Sequence, residues 1–188
     1  MTGTSGGRLR ALRSPRTALI IAITVTAAVA LTVIGMTVGS GASTTHDLGK
    51  AKNFTLSVLG DPGKHLTLGS FAGRPVIVNF FASWCGPCQK ETPLIARFYR
   101  ARQGQVTVVG IDVNDSSSAA QSFVHKSGVT YPVAVDPMPM KTATAYGLPG
   151  LPATFFLNAQ HTIVKRVFGA VTQAELASGA TLMTQRER

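Results

Sequence analysis

An apolar segment that runs into two closely spaced cysteines constrains the fold of this chain more than any other feature. Residues 75–82 (PVIVNFFA) are almost all apolar, which is the pattern of a strand buried on both faces of a sheet. The tetrapeptide Cys-Gly-Pro-Cys follows at positions 85–88, and a helix is predicted from there toward Gln103. A buried strand that leads through a short turn into a helix predicts an α/β domain.

The chain contains two cysteines, Cys85 and Cys88. Two thiols three positions apart cannot staple a fold, and a structural zinc site would lack ligands. Apolar residues make up 45% of the 188 residues, so the chain can bury a core and is not disordered. Disulfide scaffolds and four-cysteine zinc modules are therefore excluded.

The N-terminal part divides into three segments. Residues 1–17 carry four arginines and no acidic residue, residues 18–38 carry no charge, and residues 39–52 are a Gly/Ser/Thr-rich flexible linker. As a helix, residues 18–38 would rise about 31 Å, which matches the hydrocarbon core of a bilayer. The basic flank predicts a cytoplasmic N-terminus, a single-pass anchor in the cell membrane and an extracytoplasmic domain at residues 53–188. A cleaved signal peptide and a secreted domain are the alternative, because residues 40–42 (SGA) imitate a cleavage site.

The positive charge of the chain does not indicate nucleic-acid binding. Lys and Arg total 18 against 8 Asp and Glu, and the basic residues beyond position 38 are dispersed, with no Lys/Arg-rich run. We therefore expect no nucleic-acid partner and assign the surplus charge to a solvated surface.

Residues 53–188 predict alternating strands and helices. Strands are predicted at 54–59, 75–82, 106–113, 129–135, 153–157 and 162–168, and helices from the cysteine motif onward, at 117–126, at 141–146 and at 172–185. Residues 60–63 (GDPG) predict a turn, with 65–68 as a candidate return strand. Thr172 and Glu175 have the spacing of a capping box. The order β-β-α-β-α-β-α-β-β-α predicts a three-layer sandwich in which helices flank a mixed sheet.

Cys85 is predicted to lie at a helix N-terminus, where free backbone N–H groups and the helix dipole favour a thiolate. Cys88 lies one turn further on and partly inward, so it can reach the Cys85 sulfur while remaining shielded from a substrate. Pro87 has a backbone angle suited to the first helical turn. The pair therefore predicts reversible thiol–disulfide exchange, because a structural bond would close too small a loop to constrain the chain.

A copper-binding protein is the alternative from another functional class. It would use both thiolates and a histidine, of which His161 is the best placed. The other histidines are scattered along the sequence. We expect no metal and no cofactor other than the redox-active Cys85–Cys88 disulfide.

The cysteine motif and its surroundings resemble a known family. Trp84-Cys85-Gly86-Pro87-Cys88 is similar to the thioredoxin active site. The wider pattern is closer to the membrane-anchored thiol-disulfide oxidoreductases of the TlpA/ResA type, and a thioredoxin-like fold is what the resemblance implies. The matching stretches are residues 68–75 (LGSFAGRP), 78–85 (VNFFASWC), 88–93 (CQKETP) and 146–155 (YGLPGLPATF).

The resemblance implies roles for several residues. Pro152 matches a cis-proline that faces the cysteines, and the backbone beside it at Leu151 is expected to pair with an extended substrate segment. Glu91 matches the acidic residue of the pattern C-x-x-C-x-x-E-x-P, and we expect it to relay protons to or from Cys88, provided that burial raises its pKa. The other expected substrate-binding residues are Trp84, Gly86 and Pro87.

One position departs from thioredoxin. Thioredoxin has a buried aspartate six residues before its first cysteine, where this chain has Asn79. Because an amide cannot exchange a proton, the role of a base passes to Glu91 or water, and the membrane-anchored branch is favoured. Pro93 matches a proline that bends the active-site helix.

The resemblance implies exchange with protein thiols and disulfides. We expect a reductase of the cytochrome c maturation type, with apocytochrome c as a partner and electrons delivered by an integral-membrane thiol carrier. Oxidation of secreted thiols uses the same residues and is the alternative. A peroxidase is disfavoured, because peroxidatic cysteines in related folds lie in a threonine-containing loop that this sequence lacks.

Overall fold

A computed structural model of the chain describes residues 48–102 and 104–185. The predicted basic segment (1–17), the predicted anchor (18–38) and most of the predicted linker lie outside the described residues. Within those two ranges, no helix combines the length and the hydropathy needed to cross a membrane.

Seven strands form one mixed sheet. They are β1 (Thr55–Val58), β2 (Asp61–Thr67), β3 (Val76–Phe81), β4 (Thr107–Val113), β5 (Val133–Asp136), β6 (Ala153–Leu157) and β7 (Ile163–Phe168). Their order across the sheet is β2-β1-β5-β4-β3-β6-β7. The central strands β3, β4 and β5 are parallel, and the outer pairs are antiparallel. Every residue of β3 is buried, as its continuous apolar run predicts.

Helices cover both faces of the sheet. They are α1 (Gly86–Ala101), α2 (Ser117–Lys126), α3 (Lys141–Ala145) and α4 (Gln173–Thr184), with a 3-10 turn at Leu68–Phe71. Apolar residues of α1, α2 and α4 pack with one face of β3, while the 3-10 turn and α3 pack with the other. The predicted three-layer sandwich is confirmed, and so is the capping box, in which Thr172 and Glu175 bond reciprocally at the start of α4.

One local prediction was wrong in part. The candidate return strand at 65–68 is confirmed as part of β2, which pairs antiparallel with β1, so three strands precede α1 instead of two. However, β2 begins at Asp61 and includes most of the segment predicted as a turn. β2 is an edge strand, so Pro62 lacks an N–H at little cost to the ladder. Leu59 and Gly60 make the reversal between β1 and β2, and Gly60 has a φ of 82°. Pro93 lies inside α1, which is one continuous helix.

Candidate active site

The two cysteines join the end of β3 to the start of α1. Cys85 is the N-cap residue of α1, and its sulfur accepts a hydrogen bond from the Cys88 backbone N–H at 3.2 Å. The sulfurs of Cys85 and Cys88 form a disulfide. Cys85 is 5% exposed whereas Cys88 is 0% exposed, and the exposed Gly86 and Pro87 lie between them. In this geometry Cys85 carries the outer sulfur and Cys88 carries the shielded one.

The peptide bond between Leu151 and Pro152 is cis, as the resemblance implied. Ala153 pairs with Phe80 in the antiparallel ladder of β6 and β3, so Pro152 lies beside the end of β3 that leads to Cys85. Among the described residues, the backbone N–H and C=O of Leu151 have no hydrogen-bond partner. This position therefore offers a free donor and a free acceptor next to the cysteines.

Trp84 is a surface residue, with 61% of its area exposed. Its indole N–H donates to the backbone oxygen of Asn114 at 3.2 Å, which fixes the ring against the loop after β4. Trp84 and Leu151 line a shared depression of about 370 Å³ together with Met140, residues of α3 and the segment 148–150. An apolar depression thus lies beside the disulfide.

Glu91 lies on the buried face of α1, one turn after Cys88, and is 2% exposed. One carboxyl oxygen accepts the side-chain N–H of Asn79 at 2.9 Å, and the other accepts the backbone N–H of Val171 at 2.6 Å. Burial raises the pKa of Glu91 to about 7, against the opposing effect of the two hydrogen bonds. The predicted proton relay required that burial raise the pKa of Glu91, and this condition is met.

Two acidic residues that were not predicted as site residues lie next to the cysteine loop. Asp115 accepts the backbone N–H of Ser83 at 2.6 Å, and Asp112 is 0% exposed at the end of β4. Tyr131 was also missed: burial and the charge of Glu91 raise its pKa. The available signal was the parallel pairing of β3 and β4, which brings residues that follow β4 to residues that follow β3.

His161 does not lie near the cysteines. β3 and β6 run antiparallel, so Leu157 pairs with Val76 at the start of β3, and His161 follows Leu157 at that end. Cys85 follows the other end of β3, roughly 16 Å away at about 3.3 Å per residue. The ring nitrogen Nε2 of His161 lies 3.2 Å from the backbone oxygen of Phe71 instead. Cys85, Cys88 and His161 therefore do not form the three-ligand copper site of the alternative interpretation.

Comparisons with known proteins agree with this geometry. The Redoxin family matches residues 48–181. The thiol-disulfide oxidoreductase ResA of Bacillus subtilis is 35% identical over 125 residues, 66% of this chain and 68% of that protein. ResA of Bacillus thuringiensis is 31% identical over 68% of this chain and 72% of that protein.

Solved structures agree as well. A secreted Mycobacterium tuberculosis disulfide oxidoreductase has a TM-score of 0.62 at 28% identity, covering 68% of this chain and 94% of that one. A secreted thiol-disulfide isomerase from Corynebacterium glutamicum has a TM-score of 0.65 at 29% identity, covering 72% of this chain and 86% of that one. The chain therefore belongs to the Redoxin family and is a thioredoxin-like thiol-disulfide oxidoreductase of the TlpA/ResA type.

Proposed function

We propose that this enzyme reduces disulfides of proteins outside the cytoplasmic membrane, tethered to that membrane by residues 18–38, and that apocytochrome c is its substrate. The observation that carries the chemistry is the placement of Cys85 at the N-terminus of α1, above a fully buried Cys88 and a buried Glu91. The charge pattern of residues 1–38 supports the location.

The first step of the reaction uses the outer sulfur. In the reduced enzyme, the Cys85 thiolate attacks one sulfur of a substrate disulfide, so a mixed disulfide forms and the second substrate sulfur leaves as a thiolate that takes up a proton from water. The N–H of Cys88 already points at the Cys85 sulfur. A hydrogen bond from this N–H, together with the dipole of α1, stabilises the negative charge on Cys85.

The second step uses the buried sulfur. Cys88 gives its proton to Glu91 and attacks the Cys85 sulfur, which restores the Cys85–Cys88 disulfide and releases the substrate with both sulfurs reduced. The raised pKa of Glu91, about 7, makes it a suitable proton acceptor near neutral pH. Two electrons have then passed to the substrate, and an integral-membrane thiol carrier returns two electrons to the enzyme.

Substrate placement follows from the surface around Cys85. An extended segment that pairs with the free N–H and C=O of Leu151 would lie across the disulfide as an added strand. Its apolar side chains would enter the depression between Trp84 and Leu151. The exposed Gly86 and Pro87 leave room for this approach, since neither carries a bulky or charged side chain.

Turnover of the full chain with a dithiol and insulin tests the exchange reaction. We expect the wild type to reduce insulin and Cys85→Ser to reduce it no faster than the dithiol alone. The matched control is Cys88→Ser, which retains the attacking sulfur and should form a stable mixed disulfide with insulin without releasing it. Equal rates for the wild type and Cys85→Ser would disprove the proposal.

The direction of electron flow is tested separately. Oxidation of secreted thiols uses the same two cysteines and is the second candidate. Equilibration of the Cys85–Cys88 couple with glutathione gives its potential. A value near that of thioredoxin, about −270 mV, supports reduction, and a value near that of DsbA, about −120 mV, supports oxidation.

A further inference from the structure

Asp112 is a buried carboxyl group that the exchange reaction does not use. It lies at the end of β4, paired with Phe81 at the end of β3, and is 0% exposed. Among the described residues, no N–H or O–H donor of another residue lies within hydrogen-bonding distance of either oxygen. An ionised carboxylate buried without a hydrogen-bond donor is costly, so burial favours the neutral form of this side chain.

The neighbour of Asp112 is a second carboxyl group, that of Asp115. Its two oxygens accept the backbone N–H groups of Ser83 at 2.6 Å and Ser116 at 2.7 Å. Burial, the negative charge of Asp115 and a hydrogen bond between the two side chains raise the pKa of Asp112 to about 7. Since an ionised carboxylate is only an acceptor, two carboxyl groups share a hydrogen bond only when one of them holds a proton.

A short stretch of backbone connects the residue that Asp115 contacts to the attacking sulfur of Cys85. Ser83 is two residues before Cys85, and its carbonyl oxygen accepts the side chain of Gln89 from α1 at 2.8 Å. Trp84 is held by Asn114, the residue before Asp115. The loop after β4 therefore clamps the segment that presents Cys85.

We propose that Asp112 is a positioning residue: in its protonated form it donates a hydrogen bond to the Asp115 carboxylate, and so fixes the loop that holds Ser83, Trp84 and Cys85. Loss of this proton places two negative charges side by side, that of the buried Asp112 and that of the half-buried Asp115. The repulsion loosens the hold of Asp115 on Ser83 and disfavours the Cys85 thiolate.

No ionisable group of β3, β5 or α2 faces Asp112. β3 carries no ionisable side chain. Asp136 of β5 pairs with Val113, one residue beyond Asp112, so it points to the opposite face, where it caps α3. The ionisable residues of α2, His125 and Lys126, lie in its last turn, away from the end nearest Asp115. The Glu91 carboxyl of α1 raises the pKa of Tyr131, and the negative charge that raises the pKa of Asp112 is that of Asp115.

The protonation of Asp112 is measured directly by a carboxyl-carbon NMR titration of the full chain in detergent micelles. We expect Asp112 to titrate near pH 7 and the Ser83 amide proton to shift with the same midpoint, because the two are joined through Asp115. Titration of Asp112 near the ordinary aspartate value of about 3.9 would overturn the proposal. So would a Ser83 amide that does not respond to Asp112.

Two substitutions separate a donated proton from simple packing. Asp112→Asn keeps the shape and supplies an N–H donor, so Ser83 amide exchange should match the wild type and its shift near pH 7 should disappear. Asp112→Leu keeps a side chain branched at the same carbon but supplies no hydrogen-bond donor, so exchange of the Ser83 amide proton should be about tenfold faster than in the wild type. The matched control is Asp61→Asn, which changes an exposed aspartate paired with Lys64 on the edge strand and should leave Ser83 unaffected. Equal exchange in Asp112→Asn and Asp112→Leu would exclude a donor role.

A reactivity measurement connects this pair to the exchange reaction, and this part alone rests on the proposed function. The rate at which reduced Cys85 attacks a small aromatic disulfide should show an extra step near pH 7 in the wild type that Asp112→Asn lacks. If the wild type does not react at all, the proposed function fails while the NMR titration still decides the state of Asp112. If the wild type reacts and both pH profiles are identical, the positioning role fails.

Discussion

Glu91 shows at the scale of one residue how burial and hydrogen bonding oppose each other. Its carboxyl is 2% exposed and accepts N–H groups from Asn79 and Val171. The hydrogen bonds favour the ionised form, but burial dominates and raises the pKa to about 7. The same side chain is therefore able both to accept a proton and to release it near neutral pH.

Protonation of Glu91 should make the stability of the oxidised enzyme depend on pH. Because its pKa is about 7 in the folded chain and near 4.5 when unfolded, the folded state binds more protons between these values, so stability falls as pH rises from about 4.5 to 7. Glu91→Gln should remove a loss of about 2 to 3 kcal/mol over this range. Urea denaturation at several pH values measures this, and Asp112 contributes a separate loss of the same sign.

Glu175→Gln is the control for that measurement. Glu175 is also a glutamate, but it lies at the start of α4 and its pKa is lowered by hydrogen bonds from Thr172. Its substitution should leave the slope between about pH 5 and 7 as steep as in the wild type. An equally steep slope in Glu91→Gln would show that Glu91 does not carry this proton.

At the scale of elements, close packing of α4 on the sheet depends on one glycine. A Cβ on Gly179 would lie 2.2 Å from the Cε1 atom of Phe156, a fully buried ring of β6. Gly179→Ala should therefore lower the free energy of unfolding by about 1 to 3 kcal/mol, although alanine favours helix. Thr181→Ala, on the exposed face of the same helix, should have little effect or stabilise slightly. Chemical denaturation of both variants compares them, and a more stable Gly179→Ala would show that the ring moves aside freely.

Elements whose signal is local were predictable from the sequence. The apolar run of β3, the capping box of α4 and the position of Cys85 at the start of α1 each depend on neighbouring residues, and the structure confirms them. β2 was mispredicted because Pro62 and its neighbours favour a turn locally, while the tertiary position at a sheet edge permits a strand.

Features that depend on contacts between distant residues were not predictable in this way. The cis-proline at Pro152 came from the family resemblance, since most X–Pro bonds are trans. The contact of Asp115 with Ser83 joins loops 32 positions apart, and nothing in the spacing of the acidic residues indicates it. The hydrogen bond between Glu91 and Val171 spans 80 positions.

At the scale of the whole molecule, we expect the proposed anchor to be needed for the supply of electrons to the enzyme and not for the exchange reaction itself. Removal of residues 1–38 behind a cleavable export signal should leave insulin reduction by the purified protein unchanged, because the described domain contains the site. The same deletion should abolish reduction of the enzyme in cells, since the proposed electron carrier lies in the membrane. Alkylation of thiols in cell extracts measures the reduced fraction of the enzyme. An unchanged reduced fraction would show that the enzyme does not need an anchor to receive electrons.

The partners of the whole enzyme are accessible through its resolving sulfur. Cys88→Ser cannot complete the second step, so it should accumulate in cells as mixed disulfides with its substrates, which non-reducing gels and mass spectrometry identify. Apocytochrome c among them would support the proposed pathway, and a broad set of secreted proteins would support oxidation instead. The double variant Cys85→Ser, Cys88→Ser is the control and should trap nothing.

The inaccessibility of Cys88 also protects the enzyme against irreversible damage. Peroxide that enters the site meets Cys85 and converts its thiolate to a sulfenic acid, with release of hydroxide. The thiol of Cys88, 0% exposed and one turn away, then condenses with it, expelling water and restoring the disulfide. Cys88 thus removes the sulfenic acid of Cys85 before a second peroxide molecule can oxidise it to the sulfinic acid.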